Sequence, residues 1–121
     1  MKISTIADLL GAQVIYGEDI MENEVHSACG CDMMSDVLAF VKDQAVLLTG
    51  LCNQQVVRTA VMMDMRCIVF VRGKKPTEDM ISLAEEAGIA MLTTDLRMYV
   101  ACGLLYANGL MGANSSEDGT V

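Results

Sequence analysis

The segment Val69-Phe70-Val71-Arg72-Gly73-Lys74-Lys75-Pro76-Thr77-Glu78-Asp79 carries an apolar run into a basic, glycine-containing loop and then into a helix start. Three of the chain's eight Lys and Arg residues lie within four positions there, in a protein of formal net charge -8. A helix N-terminus presents unpaired amides and the positive end of its dipole, so a loop with added cations suits a phosphate, a nucleotide or a carboxylate. The plain alternative is a solvated basic loop that only begins a helix.

Two further loops of the same kind flank it. Thr49-Gly50-Leu51-Cys52-Asn53-Gln54 and Thr93-Thr94-Asp95 each follow an apolar run and precede a helical pattern. In a parallel sheet such loops gather beyond the carboxyl ends of the strands, where α/β proteins place ligands. The expected site therefore has Thr49, Gly50, Asn53 and Gln54 as polar or backbone contacts and Arg72, Lys74 and Lys75 as anion ligands. Gly73 allows close backbone approach, and Thr93 and Thr94 serve as hydroxyl donors.

The thiols, the histidine and the loop acids are the other groups capable of chemistry. Cys29-Gly30-Cys31 could supply two thiolates, with His26, the single histidine, as a third ligand. Metal sites usually show paired motifs, so a strand with both thiols on one face is the preferred reading, and no metal is assigned. Cys52 would need a base to act as a nucleophile, and no histidine is near it in sequence. Asp32, Asp36 and Asp95 stand where helix caps or first-turn acids belong. Neither a Gly-x-x-x-x-Gly-Lys-Ser/Thr nor a Gly-x-Gly-x-x-Gly loop occurs, which argues against a nucleotide-hydrolysing or Rossmann enzyme. No catalytic residue and no cofactor are assigned.

The elements that must position these loops alternate along the chain. Ser4 or Thr5 caps a short helix through Leu10, stopped by Gly11. Gln13 to Tyr16 reads as a strand, and Val25 to Cys31 as a second extended segment. Apolar spacing predicts a helix over Met33 to Val41, with Asp32 or Ser35 near its start. Ala45 to Thr49, Cys67 to Val71 and Ile89 to Thr93 are continuous apolar runs suited to strands covered on both faces. Between them lie a helix capped by Asn53 and running to Met63 or Asp64, and one from Pro76 to Ala87 that ends at Gly88. A last helix, capped by Thr94 or Asp95, runs to about Tyr106. Right-handed βα units of this kind make one α/β domain of three-layer type with a mainly parallel sheet, over residues 1–107. Residues 108–121 read as a flexible or partner-docking tail.

Composition bounds the function. A chain of 121 residues supports one core. Apolar residues make up 53% with 4% aromatics and eleven Met, so Val, Ile, Leu, Met and Ala must fill it. A pI near 4.4 argues against nucleic acid as a partner. No apolar run is long enough for a membrane span, and five cysteines in a chain without secretory features indicate reduced thiols in the cytoplasm.

Leu9-Leu10-Gly11-Ala12, Ser35-Asp36-Val37-Leu38, Leu48-Thr49-Gly50, Arg72-Gly73-Lys74-Lys75-Pro76 and Leu92-Thr93-Thr94 resemble the DRTGG domain over about residues 3 to 106. That domain is similar to the N-terminal domain of bacterial HPr kinase/phosphorylase and occurs beside CBS domains. The literal Asp-Arg-Thr-Gly-Gly string is absent, and its nearest counterpart lies around Val71-Arg72-Gly73. The resemblance implies an accessory regulatory or ligand-sensing module, often a homodimer, and not a kinase. The expectation is a non-catalytic module binding a small anionic metabolite or nucleotide. The alternative is a protein-interaction or dimerisation subunit of a larger system with no small ligand.

Overall fold

In a computed structural model, which describes residues 1–40 and 44–112, the elements run α1 (Ile3–Leu10), β1 (Gln13–Tyr16), β2 (Ser27–Gly30), α2 (Met34–Phe40), β3 (Ala45–Thr49), α3 (Gln54–Met62), β4 (Cys67–Phe70), α4 (Glu78–Ala87), β5 (Ala90–Thr93) and α5 (Met98–Ala107). A single 3-10 turn at Glu18–Ile20 separates β1 from β2. The sheet order is β1-β5-β4-β3-β2. β2 to β5 pair in parallel, and β1 lies antiparallel against β5 with Gln13 opposite Thr93.

The three continuous apolar runs become β3, β4 and β5, and every residue of each is buried. Alternation along them divides the core in two. Leu47, Ile68, Phe70 and Met91 pack under α2, α3 and α4, whereas Val46, Leu48, Val69 and Leu92 pack under α1 and α5. Each such Leu or Ile contributes roughly 1.5–3 kcal/mol when removed from water. From β2 to β5 every crossover steps one place in the same direction, so right-handed connections put α2, α3 and α4 on one face. After β5 the chain turns to the other face. The helices that follow β4 and β5 therefore lie on opposite faces, the topological condition for a crevice at the strand ends of such sheets.

Several element ends were legible and several moved. Asn53 caps α3 through Oδ1, which accepts from Val56 N at 3.2 Å, and Gly11 and Gly88 end α1 and α4 in the left-handed conformation. Ser4 and Thr5 do not cap α1. The helix starts at Ile3, since the carbonyls of Asn23 and Met21 accept from Ile3 N and Ser4 N and so satisfy its first donors. Nor does Thr94 or Asp95 cap α5, which starts at Met98 without a side-chain cap. The Thr94 hydroxyl is engaged elsewhere: it donates to Leu10 O at 2.8 Å and joins the end of α1 to the end of β5. α2 ends at Phe40, and Val41, expected within it, lies outside the described residues.

The open edge of β2 is met by the chain that follows α5. Leu110 is buried against the α1–α5 core, Met111 O accepts from Ala28 N at 2.9 Å, and Gly112 bridges Ala28 in parallel. The rest of the expected tail, 113–121, is outside the described residues.

Candidate functional site

The carboxyl ends of β2 to β5 carry the three loops singled out by sequence, and the structure divides them into two flanks. On the β3 flank the expected contacts already have partners. Asp32, at the end of β2, accepts from Thr49 Oγ1 at 2.9 Å and from Gly50 N at 2.8 Å through the same Oδ1 atom. Its carboxylate thus occupies the amide an incoming anion would use, which corrects its reading as the α2 cap. The parallel register places Gly30 beside Leu48, so Asp32 arrives next to Thr49 and Gly50. Thr49 Oγ1 also accepts from Leu51 N, Asn53 is engaged in capping, and Gln54 spans Arg58 and Asp79.

The β4–α4 loop is tightly held. Arg72 and Gly73 adopt the left-handed conformation with φ of 59° and 70°. For an arginine this costs roughly 1–2 kcal/mol, and the surroundings impose it. Arg72 N donates to Leu96 O and Gly73 N to Thr94 O, both at 2.8 Å, which binds this loop to the β5–α5 loop. These amides are engaged, so Gly73 does not lend its N–H to a ligand. What its missing side chain provides is space, since a Cβ there would stand 3.1 Å from Asp95 Oδ1. The Arg72 guanidinium lies over Gly50 in the same way. Thr93 Oγ1 donates to Lys74 O at 2.6 Å. The hydroxyls of Thr49, Thr93 and Thr94 all fasten loops, and all three residues are buried. α4 begins with Glu78 and Asp79, which offset its own dipole, and Thr77 caps it through Oγ1.

On the β5 flank a polar cavity of about 210 Å³ opens where the joined β4–α4 and β5–α5 loops meet the α1–β1 turn, lined by Gly11, Gln13, Gly73, Lys75, Thr93 and Asp95. Of the expected ligand residues it gathers Gly73, Lys75 and Thr93. Arg72 and Lys74 are exposed on the same loop, and Arg72 turns toward Gly50.

Comparison with known proteins adds to this geometry. The model of the DRTGG domain matches residues 5–106. The chain belongs to the DRTGG domain family. A solved structure of the CBS and DRTGG domains of the regulatory region of Clostridium perfringens pyrophosphatase, complexed with the activator diadenosine tetraphosphate, is similar with a TM-score of 0.65. Identity is 17%, and the match covers 86% of this chain and 45% of that one, so this domain spans less than half of that regulatory region. At that identity the likeness speaks for the fold. No curated protein matches.

Three residues of the DRTGG-domain cavity escaped sequence reasoning. Gly11 and Gln13 arrive only because β1 docks antiparallel on β5, and no local signal announces that pairing. Asp95 was visible as a loop acid but was assigned to capping.

The thiols are placed as follows. Cys29 and Cys31 are half-buried and pack toward α2, and Cys31 Sγ accepts from Met33 N at 3.3 Å. Burial, reinforced by Cys31, Cys102 and Asp36, pushes the Cys29 thiol up to about 11. His26 precedes β2 while Cys31 follows it, so roughly 15 Å of extended strand separates them. Among the described residues no group of three or more His, Cys, Asp or Glu is arranged to hold a metal. Burial raises the Cys52 thiol, with Lys74 pulling the other way, and its Sγ donates to Lys75 O at 3.2 Å. No described helix is long and apolar enough to cross a membrane.

Proposed function

We propose that this DRTGG domain is a non-catalytic regulatory module that holds a small anionic group at the carboxyl ends of β4 and β5. The observation that carries this is the polar cavity at these strand ends, with Lys75 on its wall and Arg72 and Lys74 on the same loop. An arginine held left-handed by two backbone hydrogen bonds agrees with a loop shaped for a task other than stability. The related pyrophosphatase region binds a nucleotide activator, which supports a ligand role for the fold. A cavity of about 210 Å³ is below the roughly 300–1,000 Å³ of drug-sized sites, so it suits a small molecule or one end of a larger one. All five cysteines are unpaired, in keeping with a cytoplasmic protein.

The test is a thermal-shift titration with inorganic phosphate, ATP and diadenosine tetraphosphate on the protein and its Arg72→Ala/Lys74→Ala/Lys75→Ala variant. A rise in Tm that the variant loses supports the reading. No rise with any of the three counts against it.

A second reading, self-association or docking to a larger protein, is favoured by a separate surface. A groove of about 520 Å³ between α3 and α4 is lined by Val61, Met62, Leu83 and Ala87, with Arg58 and Glu86 also on its wall. Met62 is 72% exposed, an unusual position for a large apolar side chain beside another apolar wall.

A further inference from the structure

The cavity between the β4 and β5 loops carries charges of both signs. Lys75 stands on one wall and Asp95 on another, with the Gln13 amide at the β1 side. Among the described residues neither Lys75 nor Asp95 makes an ion pair, and the side chains of all three make no hydrogen bond within the protein. An anion alone would satisfy Lys75 and be repelled by Asp95.

α1 ends at Leu10, and Gly11, its left-handed terminator, lines the cavity. The last carbonyls of that helix are already engaged, Leu10 O by the Thr94 hydroxyl and Ala7 O and Asp8 O by the amides of Ala12 and Gly11, so the Asp95 carboxylate is the negative group that the cavity offers. Gly73 keeps the approach to Asp95 open, because a Cβ there would stand 3.1 Å from Oδ1.

We infer that the ligand of this cavity is a small zwitterion of the α-amino-acid class, its carboxylate on Lys75 and its ammonium on Asp95. Gln13, which both donates and accepts, faces whatever polar side chain the ligand bears. The size agrees, since the cavity is too small to enclose a nucleotide. This inference rests on the reading of the β4–β5 strand ends as a ligand site and narrows what the site takes.

The experiment titrates the protein with the free proteinogenic amino acids, one at a time, following Tm and backbone amide shifts. The N-acetyl and carboxamide forms of each hit, which keep one charge apiece, and inorganic phosphate serve as comparison probes. The expected result is binding by at least one free amino acid and loss of binding in both singly charged forms. Asp95→Asn should weaken the amino acid by about tenfold or more while strengthening phosphate, since repulsion is removed; Lys75→Gln should weaken both. Phosphate or the N-acetyl form binding as tightly as the free amino acid would overturn the zwitterion and leave the anion site standing. Amino-acid binding that survives Asp95→Asn would overturn it equally, as would silence from every free amino acid, which leaves the anion reading to its own titration.

Discussion

The guanidinium of Arg72 lies across Gly50, so close that a Cβ on residue 50 would stand 3.0 Å from Nη2 and 3.5 Å from Nε. The contact joins the β3–α3 loop to the β4–α4 loop. Gly50→Ala meets the far end of a flexible side chain rather than backbone, so its stability cost should stay below about 1 kcal/mol in urea unfolding. The displaced guanidinium should lower the phosphate-induced shift in Tm. A variant with unchanged phosphate response would separate Arg72 from the anion site.

Asp32 is the acceptor that Thr49 Oγ1 and Gly50 N share. Asp32→Ala leaves the hydroxyl of a fully buried Thr49 without that partner, at an expected cost of about 1–3 kcal/mol. Asp32→Asn keeps an acceptor oxygen and should cost less. Equilibrium denaturation of both variants checks the order.

Thr94 reaches across 84 positions of sequence to Leu10 O and also accepts from Leu96 N. Thr94→Val keeps the shape and removes both bonds, leaving a buried carbonyl unpaired. A loss of about 1–3 kcal/mol is expected, with faster amide hydrogen exchange at the end of α1 and in residues 94–97.

The buried thiols make stability fall in alkali. Cys29 moves from an ordinary 9.0 to about 11, and full burial drives Cys67 further in the same direction. A raised folded-state value means that the unfolded chain releases its proton first. The contribution is therefore whole below about pH 9 and lost as pH rises toward about 11. Urea unfolding across that interval should show the decline, and Cys29→Ser with Cys67→Ala should flatten it.

Met62 stands exposed at the α3–α4 groove, beside Val61. Met62→Glu should leave monomer stability within about 0.5 kcal/mol. If the groove is an interface between copies, light scattering will find the variant shifted to monomer, and an unchanged mass removes this surface from self-association.

Much of the architecture was legible because its signals are local. A βα alternation, three doubly covered strands, the Asn53 cap and the Gly11 and Gly88 stops each depend on hydrogen bonds or hydrophobic spacing within a few residues. The basic loop could likewise be placed at a strand end, since Arg72 to Lys75 directly follow a buried run. Capping residues were misplaced where a distant partner supplied the bond: backbone carbonyls at Met21 and Asn23 for α1, and Leu10 for the Thr94 hydroxyl.

Amino-acid order alone thus determined the single α/β domain and the loops that could bind. Tertiary structure decided which of them face one another. The antiparallel seat of β1 beside β5 brings Gly11 and Gln13 to Thr93 and Asp95, and the parallel register of β2 on β3 sets Asp32 on Gly50. Strand pairing between distant segments is chosen by burial of whole faces and by loop closure, not by any short string of residues. A cavity made from such pairings is therefore written in no single stretch of the chain.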